Sequence, residues 1–176
     1  MCYSAEVSLG TFSAVTLICI YLWMRNNKID RAVALILFII GFMQFFEYIL
    51  WINQECNLTN KIVSAIIPVY LYFQPAALAL VAWQMKAGWG TLYPFIVGLS
   101  ILIGIPHLIN YYKTSSRKLC IKKGECNHLD WKLDNNLFDK RNTPFTFILL
   151  LCYYFPLFYT VGTLKNTTLS AIFVVL

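Results

Sequence analysis

Charged side chains are scarce in this 176-residue sequence: Asp, Glu, Lys and Arg make up 12% of it, against 59% hydrophobic residues. A soluble domain carries about twice that share of charge. The deficit, with a mean hydropathy of +0.63, excludes an ordinary soluble domain and indicates the membrane class. Acidic residues number eight and histidines two, so there is no ladder of carboxylates to serve as a continuous proton or ion pathway. No basic residue precedes the first apolar run, Glu6 does, and no small-residue cleavage site follows it. That argues against a cleavable signal peptide and for a retained helix. No reaction motif and no cofactor motif is present. The basic residues follow no nucleic-acid motif, with only Trp131 and Phe138 interleaved as stacking groups, so nucleic acid is not an expected partner.

What the chain has instead is five apolar runs, Val7 to Met24, Ala32 to Asn53, Ile62 to Gln84, Gly90 to Tyr112 and Phe145 to Leu164. Each is about the twenty residues that a helix needs to cross a bilayer. A sixth run, Thr167 to Leu176, is too short to span, so either the chain is a fragment or this piece is half-inserted or packed on its neighbours. The expected fold is an all-α polytopic bundle: one transmembrane domain over 1–176, with an extramembrane loop at 113–143. Aromatic residues fall where interfacial belts would place them, Tyr21, Trp23, Trp83 and Trp89 at one end and Tyr48, Trp51, Tyr111 and Tyr112 at the other.

We call side A the face with Arg25, Lys28, Arg31, Lys86 and Lys165, and side B the face with the N-terminus, residues 54–61 and the loop 113–143. Side B holds nine basic residues, side A five. A total count therefore puts side B in the cytosol, whereas the flanks of the first helix put side A there. Cysteine placement favours the second answer. Cys2, Cys56, Cys120 and Cys126 all fall on side B, as two disulfides in an oxidising compartment would, and Asn57-Leu58-Thr59 adds a glycosylation sequon there. The expectation is that side B is extracellular or lumenal. Two other readings of the cysteines stand beside disulfides: free thiols in a cytosolic side B, or a zinc site of Cys120, Cys126 and His128 with Cys56 or Cys2. The five-residue gap between Cys120 and Cys126 is wider than usual zinc-ligand spacing.

The loop 113–143 carries eight basic and four acidic residues. It is read either as a solvated and partly folded connecting domain pinned by one or two disulfides, or as a contact for anionic lipid or for a protein. Oligomeric state is not legible.

Glu47 and His107 are the ionisable groups inside the spans, each about 8 to 9 Å from the side B end of its helix. Helical spacing puts Gln44, Glu47 and Trp51 on one face, Ser100, Gly104, His107 and Tyr111 on another, and Ser4, Ser8 and Thr11 on a third. The expected result is a polar cluster opening to side B: Cys2, Ser4, Glu6, Gln44, Glu47 and His107. It is a binding site for a substrate, proton or ion, or a satisfied polar network that sets helix registry. Cys2 has a further reading. With Met1 removed it presents a thiol beside a free amine, an N-terminal nucleophile with Glu6, Glu47 or His107 as acid or base. Its bland alternatives are a disulfide, most simply with Cys56, or acylation.

The opening Met1-Cys2-Tyr3-Ser4-Ala5-Glu6-Val7-Ser8 and the run Gln44-Phe45-Phe46-Glu47-Tyr48-Ile49-Leu50-Trp51 resemble a family of polytopic membrane proteins of bacteria and large DNA viruses. Its members begin Met-Cys-aromatic-Ser and carry Gln-x-x-Glu-x-x-aliphatic-Trp in the second helix. The resemblance covers about the first fifty residues, marks Cys2, Ser4, Ser8, Gln44, Glu47 and Trp51, and brings no activity with it. The Lys-, Asn- and Ile-rich loops suit an A+T-rich viral genome, and a structural viral or envelope membrane protein is one of the expected roles. The others are transport or sensing through the polar cluster, and a membrane-embedded enzyme using Cys2.

Overall fold

The computed structural model describes residues 4–84, 92–115, 120–124 and 129–130, with the backbone alone at 107, 110, 111, 114 and 115. Four helices follow one another: α1 (Ala5–Met24), α2 (Lys28–Ile52), α3 (Leu58–Gln84) and α4 (Leu92–Ser115). The first three are long and apolar enough to cross a membrane, and in α4 the apolar stretch is Leu92–Pro106. The expected fifth and sixth runs lie outside the described residues.

The helices begin and end where side chains satisfy free backbone groups. Ser4 caps α1, its Oγ accepting from the Val7 N–H at 3.3 Å. The turn to α2 takes three residues. Asn26 sits in the left-handed region at φ 57°, which Asn tolerates better than most residues, and Asn27 caps α2 by accepting from Ile29 N–H at 3.0 Å. This starts α2 four residues before the apolar run alone suggests. At its other end, Asn53 Nδ2 donates to the Ile49 carbonyl at 2.9 Å and Gln54 Nε2 to the Leu50 carbonyl at 2.7 Å. Asn57 then opens α3 through its Oδ1 on the Asn60 N–H at 2.8 Å, again four residues before the apolar run. Pro68 and Pro75 lie inside α3 and are buried. Each removes one backbone donor, which a helix packed among others accommodates.

Short turns make α1 and α2, and α2 and α3, antiparallel neighbours, and α4 packs on α3. The α1–α2 crossing is close at Gly41, where an added Cβ would lie 2.6 Å from Val15 Cγ1. Towards side A the pair buries Cys19, Leu22, Val33, Ala34 and Leu37. Beside that crossing Phe42 forms ring contacts with Phe12, Phe38, Phe45, Phe46 and Tyr70. Between α2 and α3 the core is Ala32, Ile36, Leu78 and Val81, and between α3 and α4 it is Ala79, Ala82, Tyr93 and Ile96.

The outer faces are apolar: Leu17 is 67% exposed, Phe95 64% and Leu102 70%. Such surface in a monomer marks contact with lipid or another chain.

The fold is helical, as expected, with one small hairpin after α4. Strands β1 (Lys122–Lys123) and β2 (Leu129–Asp130) pair antiparallel, and Ile121 and Leu129 are buried in a cluster with Leu50, Val63 and Ile67. Residues 120–124 and 129–130 therefore fold back over the side B ends of α2 and α3.

Candidate functional site

Side B carries two polar constructions. One is a clasp between the α2–α3 turn and the returning segment. Cys56 and Cys120 form a disulfide, S–S 2.01 Å, 64 residues apart in sequence. Beside it the fully buried Asn60 behaves like a peptide unit. Its Nδ2 donates to the carbonyls of Asn53 at 2.6 Å and Ile121 at 2.8 Å, while its Oδ1 accepts from the Ile121 N–H at 3.2 Å. Ser64 Oγ accepts from the same N–H at 3.2 Å and donates to Asn60 Oδ1 at 3.1 Å. Further out, Gln54 Oε1 takes the Lys123 N–H at 2.6 Å. The backbone of an irregular segment is thereby satisfied where it is buried, as it must be.

This clasp corrects two expectations. Cys56 pairs with Cys120 and not with Cys2, because the returning segment brings Cys120 onto the turn. The zinc alternative loses two of its ligands, since sulfurs joined in a disulfide have no thiolate to offer a metal. Cys2 and Cys126 lie outside the described residues, as does His128. Asn57 is exposed, yet its amide is engaged: Oδ1 caps α3 and Nδ2 donates to Asn53 Oδ1 at 2.9 Å.

The second construction is the polar face between helices. Ring contacts of Phe12 with Phe45 at 5.2 Å, the Val15–Gly41 approach and the Cys19 Sγ bond to the Ala34 carbonyl at 3.2 Å set the α1–α2 register. Continued towards side B, it brings Ser8 level with Glu47. Both are buried, Ser8 at 0% and Glu47 at 5% exposure. Gln44 and Trp51, on the same stripe of α2, are half-buried, as is Thr11 on α1. Glu6 instead faces outward and Ser4 is taken up in capping. On α4, Ser100 is buried and donates to the Ile96 carbonyl at 2.8 Å. The α3–α4 register, set by Tyr72 against Gly104 and by Tyr112 Oη donating to the Ala65 carbonyl, brings the His107 backbone level with about Val69 and Tyr70 of α3. The His107 side chain is outside the described residues.

Sequence reasoning singled out neither Asn60 nor Ser64, because it placed Asn60 in a loop and Ser64 in an apolar run. The available signal was the spacing Asn57, Asn60, Ser64, a polar stripe at i, i+3, i+7 on the first turns of α3. A carboxylate level with a hydroxyl, on facing helices within apolar surroundings, is suited to hold a proton or a small cation. Among the described residues no three His, Cys, Asp or Glu side chains gather to hold a metal.

No family model, no curated protein and no solved structure matches the chain.

Proposed function

We propose that the chain is a multi-pass integral membrane protein with side B outside the cytosol, and that the Glu47 region binds a small cationic or protonatable ligand for transport or sensing. The observation that carries the ligand site is Glu47 itself, a carboxylate 5% exposed inside an apolar helix. An ionisable side chain at that depth in a membrane helix is by default a marker of a substrate, proton or ion site. Its level with Ser8, and the half-buried Gln44 one turn away, supply uncharged ligating groups. Ser8, Gln44 and Glu47 are also positions marked by the resemblance to the Met-Cys-aromatic-Ser proteins. Membrane integration is supported by three spanning-length helices with apolar outer faces. Orientation is supported by the Cys56–Cys120 disulfide, since such bonds persist in oxidising compartments.

The test is flux in proteoliposomes under an imposed pH gradient, with monovalent cations and primary amines as probes. Probe-dependent proton or cation flux that disappears in Glu47→Gln is expected. Equal flux in Glu47→Gln and the parent chain would remove Glu47 from the site.

A further inference from the structure

At the side A end, opposite the clasp, a cleft of about 980 Å³ opens between the α1–α2 turn and the last turn of α3. Its rim is cationic. Lys28 and Arg31 line it with Trp23, and all three are exposed. Arg31 is held in place without being neutralised: its guanidinium lies 5.3 Å over the Trp23 ring, and Nη2 donates to Asn26 Oδ1. The nearby acid, Asp30, is 3% exposed and paired to Arg25 at 3.2 Å. Among the described residues, Lys28 and Arg31 therefore keep their charge for something else.

The floor of the cleft is apolar, made by Ala32, Leu35 and Val81. From there the same two helix stripes run on towards the middle of the fold. On α2 the positions are Lys28, Ala32, Leu35 and Ile39, and on α3 they are Gln84, Val81, Ala77 and Phe73, spacings of three and four that keep to one face. A second cleft of about 290 Å³, lined by Ile39, Val69, Phe73 and Ala77, lies on those stripes. Tyr70 and Gln74 also line it, and Tyr70 Oη and Gln74 Nε2 both donate to the Ile39 carbonyl there. Lys28 to Ile39 is eleven residues, about 16 Å of helix, or one leaflet of a bilayer.

A cationic rim and two apolar clefts on the same pair of helix stripes are complementary to an anionic amphiphile lying along both as one groove. We propose that this groove binds an anionic phospholipid of the side A leaflet, its phosphate on Lys28 and Arg31 and one acyl chain along Leu35, Ile39 and Ala77. Arginine recognises phosphate through paired N–H donors, and lysine adds a point charge. With side B outside the cytosol, as proposed, side A is the cytoplasmic face, where anionic lipids are enriched. The inference rests on that orientation and on α2 and α3 crossing the bilayer, and makes no use of Glu47.

The test is native mass spectrometry of the full chain in mild detergent, with dioleoyl phosphatidylglycerol and dioleoyl phosphatidylcholine as probes. Selective retention of phosphatidylglycerol is expected, falling about tenfold in K28Q/R31Q. Intact mass confirming the Cys56–Cys120 disulfide shows that this variant is folded. A77F, which fills the groove, is expected to weaken retention of the dioleoyl lipid as well. Equal retention of the two lipids, or unchanged selectivity in K28Q/R31Q, overturns the proposal. So does displacement of the lipid by millimolar inorganic phosphate, which would make this a free-phosphate site. Extraction of the chain from membranes by alkaline carbonate would instead overturn the multi-pass reading, whereas failure of lipid selectivity in a carbonate-resistant chain overturns the lipid site alone.

Discussion

Asn60 and Ile121 exchange two hydrogen bonds in opposite directions, Nδ2 donating to the Ile121 carbonyl at 2.8 Å and the Ile121 N–H donating back to Oδ1 at 3.2 Å. A side-chain amide thus takes the place of a neighbouring strand. It lets a polar backbone segment lie buried against Leu50, Val63 and Ile67, and together with the disulfide it closes the side B end of α2 and α3.

Replacing Asn60 by Leu leaves the Ile121 carbonyl without its buried donor and forces its N–H to rely on Ser64 alone. Each unsatisfied buried group costs about 1–3 kcal/mol, so Asn60→Leu should lower stability by roughly 2–4 kcal/mol. Thermal unfolding in detergent measures it, and hydrogen exchange at Ile121 should accelerate. Asn60→Asp, which keeps the acceptor and loses the donor, should fall between.

Reduction of Cys56–Cys120 should loosen the returning segment while leaving the helices paired. Chain entropy alone assigns a loop of this length about 4 kcal/mol, an upper value because membrane-anchored helices already restrict the ends. A membrane-impermeant maleimide added from side B should label both sulfurs only after reductant. Labelling from side A would reverse the proposed orientation.

Gly41→Ala should be destabilising by about 1–3 kcal/mol, the usual cost of overpacking, because the new Cβ would meet Val15 Cγ1 at 2.6 Å. Val15→Ala in the same chain should restore most of the loss. A double-mutant cycle in which the two changes simply add would rule out this crossing contact.

Asn26→Ala should destabilise the α1–α2 turn by about 1–2 kcal/mol, since alanine is strained in the left-handed backbone that asparagine tolerates. Asn26→Gly should be close to neutral for the backbone. It also removes the Arg31 contact, so if the lipid groove is as proposed, the Asn26→Gly variant should keep its thermal stability yet lose part of its phosphatidylglycerol selectivity.

Much of the helical layout was legible because length and hydropathy act locally. Val7 to Met24 ends at the residue where α1 ends. The starts of α2 and α3 were less so. Asn27 and Asn57 extend both helices into polar residues by capping them, and an apolar run carries no information about a cap. Spacing alone turns Glu47 and Ser8 inward, and they are buried. Glu6 shows the limit of that argument: it belongs to the same end of α1 but stands on its outer face.

Composition and periodicity by themselves determined that this chain forms long apolar helices with their polar residues concentrated towards one end, because the length of an apolar run and its 3.6-residue period are properties of each segment alone. Only the tertiary structure decided that Cys120 meets Cys56, that Asn60 serves as the partner of Ile121, and that Lys28 and Arg31 stand at the rim of a cleft shared with Val81 and Gln84 of α3. Those pairings join residues up to 64 positions apart, and what sets them is the path of the returning segment and the register of neighbouring helices.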